Sequence, residues 1–213
     1  MNPDDFIISR KRKKYKFAKF YNAENCYEFE EWKKQAVDVV ELGAVTALFL
    51  VELASRHPSK QFVAIDVKAD RLQKGAYEAL ERGIKNIRFV RARADQIGEL
   101  FLPHSIDELW LTFADPFPRE RSERRRMTHP LYLEKYKKIL KKNGSLIIKH
   151  DNSTFFNWSL EQLVANKWRI TQLSFNLHES DLSDDYKILT TYEIRWLSEG
   201  LMTNIVNAQP PTF

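Results

Sequence analysis

Five carboxylates stand where a strand-like run gives way to a loop: Glu41, Asp66, Asp95, Asp115 and Asp151. Asp is a favoured turn and N-cap residue, which would account for any one of them alone. Five together need another account. Like charges gathered in one place repel unless something cationic or rich in hydrogen-bond donors sits among them. A second pattern follows Asp115. In "ADPFPRERSERRRMTHP" Pro116 stiffens the backbone after the acid, and five arginines fall within eight residues: Arg119, Arg121, Arg124, Arg125 and Arg126. Acids facing a donor-rich ligand, then guanidinium groups facing phosphates, is a chemistry that these residue types can perform together.

S-adenosylmethionine suits such a cluster of acids. Its ribose offers two hydroxyls, its adenine an exocyclic amine, its methionine part an ammonium, and its sulfonium is positive. Glu41 and Asp66 lie 25 residues apart, the length of a strand–loop–helix–strand unit whose second acid holds ribose hydroxyls. The first turn carries a single glycine, Gly43, and no G-x-x-x-x-G-K-[ST] run occurs, so a phosphate-rich cofactor has no cradle. The same lack makes a nicotinamide-dependent oxidoreductase a poor reading. The five histidines and Cys26 show no metal-ligand spacing, and no metal is expected.

The elements that must position these acids alternate. Strand-like runs are "VDVVELG", "QFVAIDV", "IRFVRARAD", "DELWLTFAD" and "SLIIKHD"; between them lie helical runs such as "TALFLVELASRHP", "DRLQKGAYEALERG" and "LYLEKYKKILKKNG". That alternation predicts a parallel sheet with helices on both faces and a ligand crevice at the carboxyl ends of the strands. Two further runs, "WRITQLSFNL" and "ILTTYEIRWL", have no helix between them and are expected to pair antiparallel at one edge. The expected fold is therefore the α/β, Rossmann-like arrangement of class I methyltransferases: a mostly parallel seven-stranded sheet ending in an antiparallel hairpin.

Residues 1–36 are expected to form a basic and aromatic N-terminal arm ahead of a domain spanning 37–213. "SRKRKKYKFAKFYN" carries seven Lys or Arg among four aromatics. It reads either as a solvated terminus or as an arm that meets RNA phosphates and stacks bases. The chain has 213 residues and a net charge of +5, so a polyanionic partner is plausible. With one cysteine no internal disulfide can form, and no apolar run reaches the roughly 20 residues that span a bilayer. A cytoplasmic protein without membrane attachment is the default expectation.

"FADPFPRERSERRR" resembles the signature of the bacterial tRNA (guanine-N7)-methyltransferases, in which Asp-Pro, an aromatic and a basic residue precede a run ending in Lys-Arg-Arg. "KHDN" at 149–152 is similar to that family's Thr-Asp-Asn motif, and "TTYE" at 190–193 to its late Thr-x-Tyr/Phe-Glu motif. Three motifs in order on a fitting fold make a specific match, covering roughly Val40 to Trp196. The resemblance implies that Glu41, Gly43, Asp66, Asp95 and Asp115 contact S-adenosylmethionine and that Asp115 is also the catalytic acid. Arg119, Asp151, Thr190, Thr191, Tyr192 and Glu193 would contact the RNA, with Arg124, Arg125 and Arg126 on its phosphates. The product would be 7-methylguanosine in the variable loop of tRNA.

The chain departs from that family at one loop. Where the family reads Glu-Ile-Gly-x-Gly-x-Gly, this chain has Glu41, Leu42, Gly43, Ala44, Val45, Thr46 and Ala47. Val45 is β-branched and resists the positive φ that glycine permits. His150 stands where the family has Thr, and Phe117 where it has Trp. Two readings follow: an active methyltransferase with a reshaped cofactor loop, or a tRNA-binding protein of the same fold that has lost its methyl donor.

Overall fold

The computed structural model describes residues 11–211. The first ten residues of the expected arm lie outside the described residues. The chain then runs α1 (Lys11–Asn22), β1 (Cys26–Glu28), β2 (Val39–Leu42), α2 (Leu48–Arg56), β3 (Phe62–Asp66), α3 (Ala69–Glu81), β4 (Ile87–Arg91), α4 (Ile97–Leu100) and β5 (Ile106–Thr112). It continues through α5 (Pro130–Ile139), β6 (Leu140–His150), α6 (Ser153–Ala165), β7 (Arg169–Ser174), α7 (Thr191–Ser198) and β8 (Asn204–Gln209). The strands form one sheet in the order β1-β4-β3-β2-β5-β6-β8-β7. From β1 to β6 every pairing is parallel, and β8 runs antiparallel to both its neighbours.

The strands β2, β3 and β5 are buried almost throughout, which is why their sequences read as continuous apolar runs rather than alternating ones. Each face of the sheet carries its own core. On one side Phe49, Leu50, Leu72 and Ala76 of α2 and α3 pack with Val39, Ala64 and Phe89. On the other, Leu133, Tyr136, Phe156 and Leu163 of α5 and α6 pack with Val40, Ile65 and Leu109.

Three expectations need correction. The run "ILTTYEIRWL" is not the second strand of the hairpin. Its core is α7, because Thr190 and Glu193 form a capping box: the Thr190 side chain accepts from Glu193 N and the Glu193 side chain from Thr190 N. The strand that pairs with β7 is "NIVNAQ" at the end of the chain, whose Ile205 and Val206 are buried. The sheet has eight strands rather than seven, the additional one being β1. Finally, part of the segment read as an arm packs onto the body of the fold. Phe20 of α1 is 1% exposed, Asn25 donates to Ala76 O of α3, and β1 pairs with β4. No helix among the described residues is long and apolar enough to cross a membrane.

Candidate active site

The carboxyl ends of β2, β3, β5 and β6 open into a cavity of about 590 Å³. Its lining joins Gly43, Asp66, Asp115 and Asp151 with Met127, Tyr192 and Trp196. The loop after β2 is tied to β3 by two backbone bonds, from Gly43 N and Ala44 N to Ile65 O at 2.8 and 3.0 Å. Gly43 has φ +77°, and a Cβ there would sit 3.1 Å from Met127 Cε. Val45 and Ala47, which stand where glycine is usual, nevertheless adopt φ 52° and 54°. The loop thus keeps a glycine-loop backbone without the glycines. It is held there from two sides. Val45 N donates to Asp66 Oδ2 at 3.0 Å, and Thr46 O lies so close to α3 that a Cβ on Gly75 would be 2.4 Å from it. Asp66 also accepts from Lys68 N at 2.8 Å, so backbone donors aim its carboxylate at the cavity wall.

Asp115 is exposed, lines the cavity, and has no hydrogen bond or ion pair among the described residues. The loop that carries it is strained on both sides, Phe113 having φ 50° and Phe117 φ 40°. Phe113 N donates to Lys149 O of β6 at 2.9 Å. His150 is 3% exposed, and its Nε2 lies 2.8 Å from Ala114 O. Ala114 O can only accept, so Nε2 is the donor there, and Nδ1 lies 2.9 Å from Asn152 N. Asp151 Oδ1 lies 3.2 Å from that same Nδ1.

The arginine run divides in three. Arg119 and Arg124 are exposed, and Arg125 lines the cavity with its guanidinium 4.3 Å over the Phe117 ring. Arg126, expected on RNA phosphates, is buried instead. It donates from Nε to Pro116 O at 3.1 Å and from an η nitrogen to Phe117 O at 3.1 Å, contacts Glu123 Oε1 at 3.3 Å, and lies over the Trp158 ring at 4.4 Å. Its guanidinium is nearly buried and faces these partners, turned from the surface where the sequence reading put it.

Glu193 is a second correction. It was expected to face RNA but is fully buried. Oε1 meets His178 Nε2 at 2.8 Å, while Oε2 accepts from Lys149 Nζ at 2.9 Å and from Thr190 N at 3.1 Å. Lys149 is itself fully buried and also donates to Ile188 O. Burial depresses its pKa, and the nearby Glu193 and Glu41 oppose that. The pair anchors α7, whose Tyr192 and Trp196 then wall the cavity; Arg71 donates to Tyr192 OH at 3.2 Å. Thr190 caps α7 and is buried, while Thr191 Oγ1 lies 3.5 Å from Thr46 Oγ1 of the cofactor loop.

Two acids stand apart from the cavity. Glu41 points to the other side of β2, into a small cleft shared with Val45, Phe49 and Thr191. Its Oε1 accepts from Thr112 at 2.5 Å, and its Oε2 is buried with no partner. Burial pushes its carboxyl up to about 8, Asp66 adds to this, and Thr112 and Lys149 pull the other way. Asp95 is turned to Arg93, whose guanidinium grips both its oxygens and holds its pKa below the ordinary value. Ala92 and Ala94 line the cavity in its place. No group of three or more possible metal ligands occurs among the described residues. Sequence reasoning missed Lys149, His178, Met127 and Gly75. The lysine was legible only as the first letter of "KHDN", since nothing local says that a strand lysine will be buried.

The profile of a family described as "Putative methyltransferase" matches residues 35–204. The tRNA (guanine-N(7)-)-methyltransferase of Brevibacillus brevis is 35% identical over 76% of this chain and 75% of its own length. That of Mycoplasmopsis agalactiae is 36% identical over 80% and 82%. Among solved structures, the 16S rRNA methyltransferase KamB superposes with a TM-score of 0.61 at 14% identity, covering 85% of this chain and 90% of that one. A SAM-dependent methyltransferase from Aquifex aeolicus gives 0.55 at 15%, covering 99% and 100%. At these identities the two structures speak for the fold alone.

Proposed function

The chain belongs to the tRNA (guanine-N7)-methyltransferase family, and from that premise we propose that it methylates N7 of a guanine in the variable loop of tRNA, using S-adenosylmethionine. The observation that carries the reading is the convergence of Asp66, Asp115 and Asp151 with Gly43 on one cavity large enough for a nucleoside cofactor.

The residues present fit that cofactor. Asp66 has lone pairs left for ribose hydroxyls beyond its two backbone partners. Gly43 leaves bare backbone beside Met127. The left-handed backbone at Val45 and Ala47 supports the active reading over a binding protein that has lost its donor, because the loop retains its shape despite the cost. When bound, S-adenosylmethionine supplies a methyl group activated by a sulfonium.

Guanine N7 carries a free lone pair, so no residue has to remove a proton before attack. The protein's task is to orient the base and exclude water. Asp115 is the cavity carboxylate with no partner among the described residues, suited to the adjacent N1–H and N2–H₂ donors of guanine. The ring turns cationic as N7 is methylated, and a carboxylate beside it stabilises that charge. Asp151 lines the same cavity as a second acceptor. Tyr192 and Trp196 offer aromatic faces for a base swung out of its stack. Arg119, Arg124 and Arg125 serve the flanking phosphates. A tRNA substrate supports the reading of a cytoplasmic protein.

The test is transfer of labelled methyl to unmodified tRNA, with the product nucleoside identified after digestion. Asp115→Asn keeps the volume but presents a donor to guanine's donors. It should lower transfer a hundredfold or more, about 3 kcal/mol, with tRNA affinity changed far less. Wild-type rates in Asp115→Asn would reduce Asp115 to a turn residue. No transfer by the wild type would favour the tRNA-binding alternative.

A further inference from the structure

We propose that Arg126 and His150 are positioning residues that pin the Asp115 loop into its strained form, so that the last arginine of the basic run serves the reaction from behind the loop and not from the RNA. The inference rests on Asp115 being the catalytic acid.

The loop has little reason to hold its shape unaided. Phe113 and Phe117 both lie in the left-handed region, which bulky residues avoid. Asp115 itself has no partner among the described residues and cannot hold the loop. The restraint comes from outside, through the carbonyls. His150 donates to Ala114 O on one side of Asp115, and Arg126 donates to Pro116 O and Phe117 O on the other. Pro116 has no N–H with which to make a backbone bond, so its carbonyl is the only main-chain handle at that position.

Both donors are themselves held. The Arg126 guanidinium lies on Trp158 of α6 and contacts Glu123. The His150 ring packs 4.6 Å from Phe155, its Nδ1 lies 2.9 Å from Asn152 N, and its own carbonyl accepts from Asn204 of β8. The path therefore runs from α6 and β8 through two nearly buried side chains to the backbone on each side of the acid. An arginine used this way is nearly buried and turned to the loop's carbonyls instead of to solvent. Arg125, one residue earlier, sits on the outer side over the Phe117 ring.

The experiment compares Arg126→Met and His150→Phe, which keep the apolar stem or the ring but lose the donors, with Arg125→Met. For Arg126→Met, kcat for methyl transfer should fall tenfold or more, with KM for tRNA within about threefold and the salt slope of tRNA binding unchanged. Arg126→Lys should recover part of kcat. Arg125→Met should instead lower the salt slope by about one contact. Exchange of the Phe113 amide, which is bonded to Lys149 O, should rise at least tenfold in Arg126→Met and His150→Phe, with the rest of the sheet unaltered. Unchanged kcat, or a salt slope lowered by Arg126→Met, overturns the proposal. If Arg126→Met does not fold, Trp158→Leu carries the same test, since it loosens the guanidinium while leaving its donors; normal kcat and normal exchange there also overturn it. Should the wild type transfer no methyl at all, the functional reading fails while the exchange data still decide whether the clamp exists.

Discussion

Glu41 is a carboxyl group sealed between a threonine hydroxyl and a buried lysine, and its titration has a definite sign. Its pKa is pushed from 4.5 up to about 8, chiefly by burial. Between those values the folded state holds a proton that the unfolded chain has released, so this group makes stability fall as pH rises from about 4.5 to about 8. Glu41→Gln imitates the neutral form and removes that slope. Urea unfolding from pH 5 to 9 should show Glu41→Gln gaining on the wild type as pH rises, by on the order of a few kcal/mol at pH 8, and no further above it. Parallel curves would mean that Glu41 is already ionised in the fold. The identity of this residue was legible as the acid closing the first strand; its unpartnered oxygen was not, because that depends on Thr112 and Lys149 from two other strands.

The loop between β2 and α2 is an element whose backbone and sequence disagree. Left-handed geometry costs a non-glycine residue roughly 1–2 kcal/mol, and more when it is β-branched. Val45 tolerates it because Asp66 captures its N–H and α3 presses on the next carbonyl through Gly75. Val45→Gly should relieve the strain, offset in part by the greater freedom of glycine in the unfolded chain. The expected net gain is about 1 kcal/mol, read as a Tm a few degrees higher, with S-adenosylmethionine bound more tightly in calorimetry because the side chain leaves the cavity wall. A lower Tm would show that the valine's packing outweighs its strain. The misreading of α7 belongs to the same scale. Its alternating apolar residues imitate a strand, while the Thr190–Glu193 capping box was the local signal for a helix.

Across the whole molecule the N-terminal segment is the part whose composition misled most. Its lysines suggested a solvated or RNA-seeking extension, yet Ala18 and Phe20 of α1 are both buried, and Lys19 lies 4.7 Å over the Tyr77 ring of α3. Phe20→Ala should therefore destabilise the fold by about 3–5 kcal/mol, as loss of a core aromatic does, in a urea titration of the full chain. A change under 1 kcal/mol would restore the independent arm.

The sequence by itself determined the parallel strands β2 to β6 and their polarity, but not β1 or β8. Buried parallel strands must be apolar throughout, helices must be amphipathic, and glycines and prolines punctuate both, so order and type are written locally. It also determined which acids end the strands, because position along a strand is a matter of counting. Tertiary structure alone decided where those acids look. Asp66, Asp115 and Asp151 converge on the cavity, Glu41 faces the opposite side of its strand, and Asp95 is taken by Arg93. It likewise turned two residues of an apparent RNA surface inward. Arg126 and Glu193 found carbonyls, a ring, a lysine and a histidine from distant elements, and a charged side chain that meets partners inside the fold no longer needs solvent or ligand. Pairings of that kind are made between segments far apart in the chain, and no local pattern records them.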